Sequence, residues 1–205
     1  MIIYKDLNQS HIHYAAKFLC ESFLTEEPLT NSLNIAPSRF YNLCSRLLEN
    51  LQEQGLSKIA VHEEKIIGLI LIRDENQAPV SINLVNSETP ELLTIFDFEE
   101  KLYKIGCFNM KEKSAHIEMI AISKSYHRNG IGRNLVSHSI SKLIDSGYEQ
   151  IMVFCTNPKS QKLFKSKFDF QSVSQIDVTT YEYDNKTPFK GVLDYQYGEL
   201  VTKLL

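Results

Sequence analysis

A short alternating stretch runs directly into a basic, glycine-bearing loop and then into an amphipathic run, and this junction narrows the folds open to the chain. The stretch is AHIEMIAIS, residues 115–123, and the loop is SYHRNGIGRNL, residues 125–135. Ala115, Ile117, Met119 and Ala121 alternate with His116, Glu118, Ile120 and Ile122, which predicts a strand with those two faces. After the loop, Ile131, Leu135, Val136, Ile140, Leu143 and Ile144 recur at helical spacing up to Gly147, and QIMVFCT then reads as a buried strand. Only eight glycines occur in the chain, yet Gly130 and Gly132 both stand at the mouth of this helix. A helix N-terminus exposes unpaired N–H groups and partial positive charge, so it attracts anions. Glycines let a phosphate approach those amides, and Arg128 and Arg133 add charge at the rim. A plain strand-to-helix turn is the competing explanation for an isolated G-x-G.

Around this unit the pattern is mixed α and β. Ile2–Lys5 is a short opening strand. Ser10 is expected to cap a helix reaching about Thr25, with Tyr14, Phe18 and Leu19 on its buried side. Pro28 should stop that helix and open a loop, EEPLTNSLNIAP. A second helix follows Ser38, with Phe40, Leu43, Leu47, Leu48 and Leu51 at helical spacing and Gly55 beyond its end. SKIAVHEEKIIGLILIRD reads as a hairpin turning at Glu63–Glu64. Residues 75–113 form an insertion with one or two helices, framed by Pro79 and Pro90. NPKSQKLFKSKF is a short helix with Pro158 in its first turn, where the missing N–H costs nothing. Two alternating segments, FQSVSQIDVTTYEY and YGELVTKLL, close the chain as strands.

Composition narrows the function classes. With 43% hydrophobic and 23% charged residues in 205, the chain can bury one sizeable core. A net charge of −3 offers no basic field for nucleic acid or anionic lipid. Cys20, Cys44, Cys107 and Cys155 lack metal-ligand spacing and read as free thiols of a reducing compartment. No basic start followed by an apolar run and no stretch of roughly 20 apolar residues is present, so a cytoplasmic protein without a membrane partner is expected.

The loop departs from two common phosphate cradles. A Walker loop needs a lysine after its last glycine, and a dinucleotide fingerprint needs a third glycine near Asn134–Leu135. The strand, the loop HRNGIG and the helix instead resemble the acetyl-CoA signature of the GNAT superfamily of N-acetyltransferases, [QR]-x-x-G-x-[GA], with His127 where glutamine or arginine is usual. The order of elements resembles that superfamily over nearly the whole chain. FLTEEPLTNSL and CTNPKS are similar to the D-E-P-L-N and C-S-x-x-x-S segments of arylalkylamine and dopamine N-acetyltransferase-like members.

The resemblance implies one domain over residues 1–205, mixed α and β (α/β or α+β). Its centre would be a mostly antiparallel, splayed mixed sheet of about seven strands flanked by helices. It implies an acyltransferase that uses acetyl-CoA and no metal, acts on a small amine such as an arylalkylamine or polyamine, and is a monomer or homodimer. Acetyl-CoA would lie against the backbone of Ile120, Ala121 and Ile122 and the loop His127, Arg128, Asn129, Gly130, Ile131, Gly132 and Arg133, with Asn157, Ser160 and Phe164 alongside. Glu27 would be the general base, with Thr156 and Ser160 as assisting hydroxyls. Glu118, with His116 as a relay, is the rival base on the strand. Phe164 stands where many members carry a proton-donating tyrosine, which favours Ser160 for that task. Asp169 replaces a usual glycine at the end of the last helix. The aromatic residues of segment 181–197 (Tyr181, Tyr183, Phe189, Tyr195 and Tyr197) are candidate walls for the acceptor. Two alternatives stay open: a CoA-binding regulatory module without turnover, and a peptide or lysine acetyltransferase.

Overall fold

A computed structural model describes residues 1–77, 89–106, 109–192 and 196–205. Pro79, Cys107 and Tyr195 lie outside the described residues. The centre is a seven-stranded sheet in the order β1-β2-β3-β4-β5-β7-β6. Its strands are β1 (Ile3–Asp6), β2 (Lys58–His62), β3 (Lys65–Asp74), β4 (Ser114–Ile122), β5 (Gln150–Cys155), β6 (Gln171–Asp177) and β7 (Tyr197–Leu204). All neighbours pair antiparallel except β4 and β5. That parallel pair is short, running from Ser114 opposite Gln150 to Ile117 opposite Val153. Beyond Ile117 the two strands part, while β4 continues against β3 as far as Ile122. The expected splayed, mostly antiparallel sheet is therefore present.

Helices cover both faces. On one side α1 (Ile12–Glu26) and α3 (Pro37–Glu53) pack together over Leu69, Leu71 and Ala121. On the other, α5 (Ile131–Asp145) lays Ile131, Leu135, Val136 and Leu143 over Ile70, Ile72 and Ile117. The α3 stripe is buried as the spacing predicts. The hairpin turns at Glu63 and Glu64, both left-handed with φ of 48° and 62°, the geometry of a two-residue turn that follows sheet twist.

Local chemistry moved two boundaries and one buried face. Asn8, not Ser10, makes the first cap, accepting from the Ser10 N–H at the head of a single 3-10 turn, Gln9–His11. Tyr14 is 66% exposed, and Ile12, Ala15, Ala16, Leu19 and Cys20 form the buried stripe of α1 instead. The expected loop after Pro28 begins with a short helix, α2 (Pro28–Ser32), with proline at its first position and Glu27 as its cap.

The two faces predicted for β4 are also corrected. Leu71 of β3 pairs Met119 while Ile72 pairs Ile117, so Glu118 is the extra residue of a β-bulge. Side chains change face there. Ala115 and Ile117 share a core with Ile120 and Ile122, whereas Met119 and Ala121 lie in the core of α1 and α3.

The insertion supplies α4 (Leu93–Gly106), entered through a 3-10 turn at Pro90–Leu92. Its Phe98 ring is fully buried, edge-on to both Tyr181 and Phe189. A Cβ built on Gly198 of β7 would come within 2.6 Å of that ring, so the bare backbone is what admits α4 to the sheet. Gly198→Ala is expected to destabilise the fold by about 1–3 kcal/mol, the usual range for overpacking. Denaturant unfolding at fixed m-value checks this, and Phe98→Leu should recover part of the loss in the double variant.

Candidate active site

Where β4 and β5 part, a cleft of about 1150 Å³ opens between α1–α2, α4, the bulged end of β4, the glycine loop and α6 (Pro158–Phe168). Ile120, Ala121 and Ile122 line it with the strand edge that β5 leaves unpaired. Gly130 is left-handed at φ 75°, and Arg128 just before it at 65°. That pair of reversals brings the chain round into α5, whose first N–H groups then face the cleft. His127 closes the junction, its Nε2 donating to the Ile122 carbonyl at 3.0 Å. The substituted position thus ties the loop to the end of the strand. Ile131, Gly132 and Arg133 also line the cleft, and Asn129 does not.

Two segments more than a hundred residues apart in sequence meet at its centre. The Glu27 carboxylate accepts from the N–H of Thr30 at 2.6 Å and of Leu29 at 3.3 Å, capping α2. Thr156 donates its hydroxyl to the same carboxylate at 3.0 Å. Thr156 is free to do so because Asn157 is the residue that caps α6, accepting from the Ser160 N–H at 3.0 Å. The Ser160 hydroxyl donates to the Asn157 carbonyl at 2.8 Å. Glu27 is only 8% exposed. Burial raises its pKa above the ordinary value, and the hydrogen bonds from Thr30, Thr156 and Leu29 offset that only in part.

Glu118 has a different setting. It projects from the bulge to the Arg73 guanidinium at 2.5 Å. Arg73 also holds Glu75 through two further bonds, at 2.8 and 3.0 Å. His116 completes the group, 3.3 Å from both Glu75 and Glu118. Burial alone would raise the Glu118 carboxyl, but His116 and Arg73 outweigh it and hold it down to about 2. Burial would lower His116, but Glu118 and Glu75 outweigh it and raise it to about 9. His116 and Glu118 do meet, as an ion pair.

The cleft is electrically polarised. Arg128, Arg133, Lys159, Lys162 and Lys167 line its loop end, and Glu27, Glu75, Glu99 and Glu118 line the other. The GNAT-family acetyltransferase model matches residues 18–170, a span that contains both poles. The chain belongs to the GNAT acetyltransferase family. No curated protein matches it by sequence. Among solved structures it is similar to the C-terminal condensation domain of Ebony in complex with beta-alanyl-dopamine (18% identity, TM-score 0.86, covering 100% of this chain and 99% of that one). Arylalkylamine N-acetyltransferase 2 from Aedes aegypti is similar at 17% identity and TM-score 0.82, over 99% and 98% of the two chains. The Drosophila melanogaster polyamine N-acetyltransferase follows at 14% identity and TM-score 0.76, over the whole of both.

Acetyl-CoA is the acyl donor of GNAT enzymes, and the loop end of this cleft fits it. Basic side chains, helix amides and an unpaired strand edge converge there, and a Cβ on Gly132 would stand in the groove 3.5 Å from Leu163. One expected contact is corrected: Phe164 is fully buried against Phe170 and does not line the cleft. Along α6 it follows Ser160 by one turn on the inward face, and Leu163 takes the groove side. Asp169 adopts the left-handed conformation at the end of α6, φ 56°, that a glycine would otherwise supply. The aromatic acceptor walls are corrected too. Tyr181 and Phe189 stack together behind α4 in the core, and neither Tyr183 nor Tyr197 lines the cleft.

Arg73, Glu75 and Glu99 carry the electrostatics of this GNAT cleft without having been singled out in the sequence. Glu99 alone left a trace, an acid inside the apolar stripe of α4. Among the described residues no cluster of three or more His, Cys, Asp or Glu could hold a metal ion, and no helix is long and apolar enough to cross a membrane. The His116 pKa is raised by folding, so its contribution to stability is complete below pH ~6.5 and is lost as pH rises through about 9. His116→Gln should therefore cost roughly 1–3 kcal/mol in denaturant unfolding at mildly acid pH. The gap to the parent should close above pH ~10.

Proposed function

We propose that this chain transfers the acetyl group of acetyl-CoA to the primary amine of a small molecule, with Glu27 as the general base. The hydrogen bond from Thr156 to Glu27 carries this reading, because it puts a buried carboxylate beside the place where β4 and β5 part. Acetyl-CoA supplies an activated carbonyl and a thiolate leaving group. The residues must then accept a proton from the incoming ammonium and return one to the sulfur side.

Glu27 suits the first task. Burial raises its proton affinity, and three donors hold its oxygens in place. Glu118 suits it poorly, since a carboxyl held at about 2 by Arg73 and His116 has little affinity for a proton at neutral pH. We assign the Arg73–Glu75–His116–Glu118 group to holding the bulge. Ser160 is the α6 hydroxyl that lines the cleft and would serve the sulfur side, and its bond to the Asn157 carbonyl orients it. A small acceptor agrees with the similar structures, which include an arylalkylamine and a polyamine N-acetyltransferase.

Glu27→Gln keeps a carbonyl oxygen to cap α2 and loses the base. It should lower kcat/KM for amine-dependent thiol release by ~10²–10⁴-fold, with the deficit shrinking as pH nears the amine's own pKa. Glu118→Gln should lower stability more than rate. A near-parental rate in Glu27→Gln would move the base elsewhere. Acetyl-CoA binding with no thiol release on any small amine would point to the regulatory or peptide-directed alternatives.

A further inference from the structure

The acceptor end of the cleft holds a carboxyl with no task in that chemistry. Helix α4 turns Thr94, Phe98 and Leu102 inward to the sheet, and Ile95, Phe96, Glu99, Tyr103 and the exposed Glu100, which Lys104 pairs, to the cleft. Glu99 thus stands as an unpaired acid among Ile95, Phe96 and Tyr103. Among the described residues it makes no hydrogen bond and no ion pair. The two cations that act on it are committed elsewhere, Arg73 and His116 both to Glu75 and Glu118. Among the described residues, Glu27 and Glu99 are the two carboxyls of the cleft that form no ion pair.

We propose that Glu99 is a specificity residue, pairing with a second cationic group on an acceptor whose reactive amine is presented to Glu27. The inference rests on the acetyl-transfer reading above and narrows its substrate to small dications, such as diamines and guanidino-amines. Glu99 is half-buried, and a carboxyl there whose role was packing would be matched by a protein cation or replaced by an apolar side chain, because an unmatched charge drawn partly out of water is costly. Here burial raises the Glu99 carboxyl to about 8; repulsion by Glu118 and Glu27 adds to this, and the attraction of His116 and Arg73 does not cancel it. A ligand cation supplies the missing partner and restores the charged form. The apolar side chains Ile95 and Phe96 beside it suit the methylene chain between two such cations.

The test compares matched pairs, diaminobutane against butylamine and diaminohexane against hexylamine, with phenylethylamine as an aromatic monoamine. In thiol-release assays the parent should prefer the diamine of at least one pair by about tenfold or more in kcat/KM. Glu99→Gln should lower that diamine's value about 10–100-fold, mostly through KM, and leave the monoamines within about threefold. Titration calorimetry of the same amines into CoA-saturated protein reads Glu99 without turnover. Diamine binding lost in Glu99→Gln supports the proposal even if no amine is acetylated, which would sink only the catalytic reading. Diamine binding unchanged in Glu99→Gln, equal losses for diamines and monoamines, or a parent that prefers no diamine would each overturn it.

Discussion

The bulge at Glu118, tied down by Arg73, is the constraint on which the rest of the site depends. Without an extra residue, β4 would keep one alternation along its length, and either Met119 and Ala121 or Ala115 and Ile117 would face the wrong core. With it, the strand changes phase and its outer half can leave β5. A residue placed in a bulge has no partner across the ladder, so its side chain is held by other means. Arg73 supplies them, and because Arg73 also grips Glu75 while His116 contacts both acids, the four groups form one closed unit. A unit of that kind stabilises a particular geometry, and it consumes the basicity of the strand carboxylate.

That consumption divides labour within the cleft. The two acids Glu75, just beyond β3, and Glu118, on β4, are neutralised by two cations, which leaves Glu27, beyond α1, and Glu99, on α4, without an ion pair. The opposite end keeps its lysines and arginines. A chain with a net charge of −3 therefore presents a cleft with an anion-seeking pole and a cation-seeking pole, which overall charge does not reveal. Glu26 sits between them, bonded to Lys159 at 3.1 Å and 3.6 Å from His127.

The junction of β4, the glycine loop and α5 was legible because strand alternation, paired glycines and a helical stripe are all local patterns. So was α3, whose leucines bury as spaced. The face of Glu118 was not, since a bulge leaves the same apparent alternation in sequence and is defined only by the partner strand. Phe164 and Leu163 are neighbours in sequence. Which of them faces the groove depends on the rotation of α6, which Ser160 and the core around Phe170 set. EEPLT read as a loop because Pro28 ends one helix, and the same proline begins the next. Glu99 was hidden for a further reason: its surroundings come from strands β3 and β4 and from α4 docking over Gly198, none of which is local to it.

Glu27 is a buried carboxylate with raised proton affinity, held by the Thr156 hydroxyl beside the parting of the sheet. The side-chain carboxyl ¹³C shift of Glu27, assigned by its loss in Glu27→Gln and followed through a pH titration, measures this directly. Its midpoint should lie above the ordinary glutamate value of 4.5 and move higher still in Thr156→Val, where a donor to the charged form is removed. A midpoint at or below 4.5, unmoved by Thr156→Val, would contradict it.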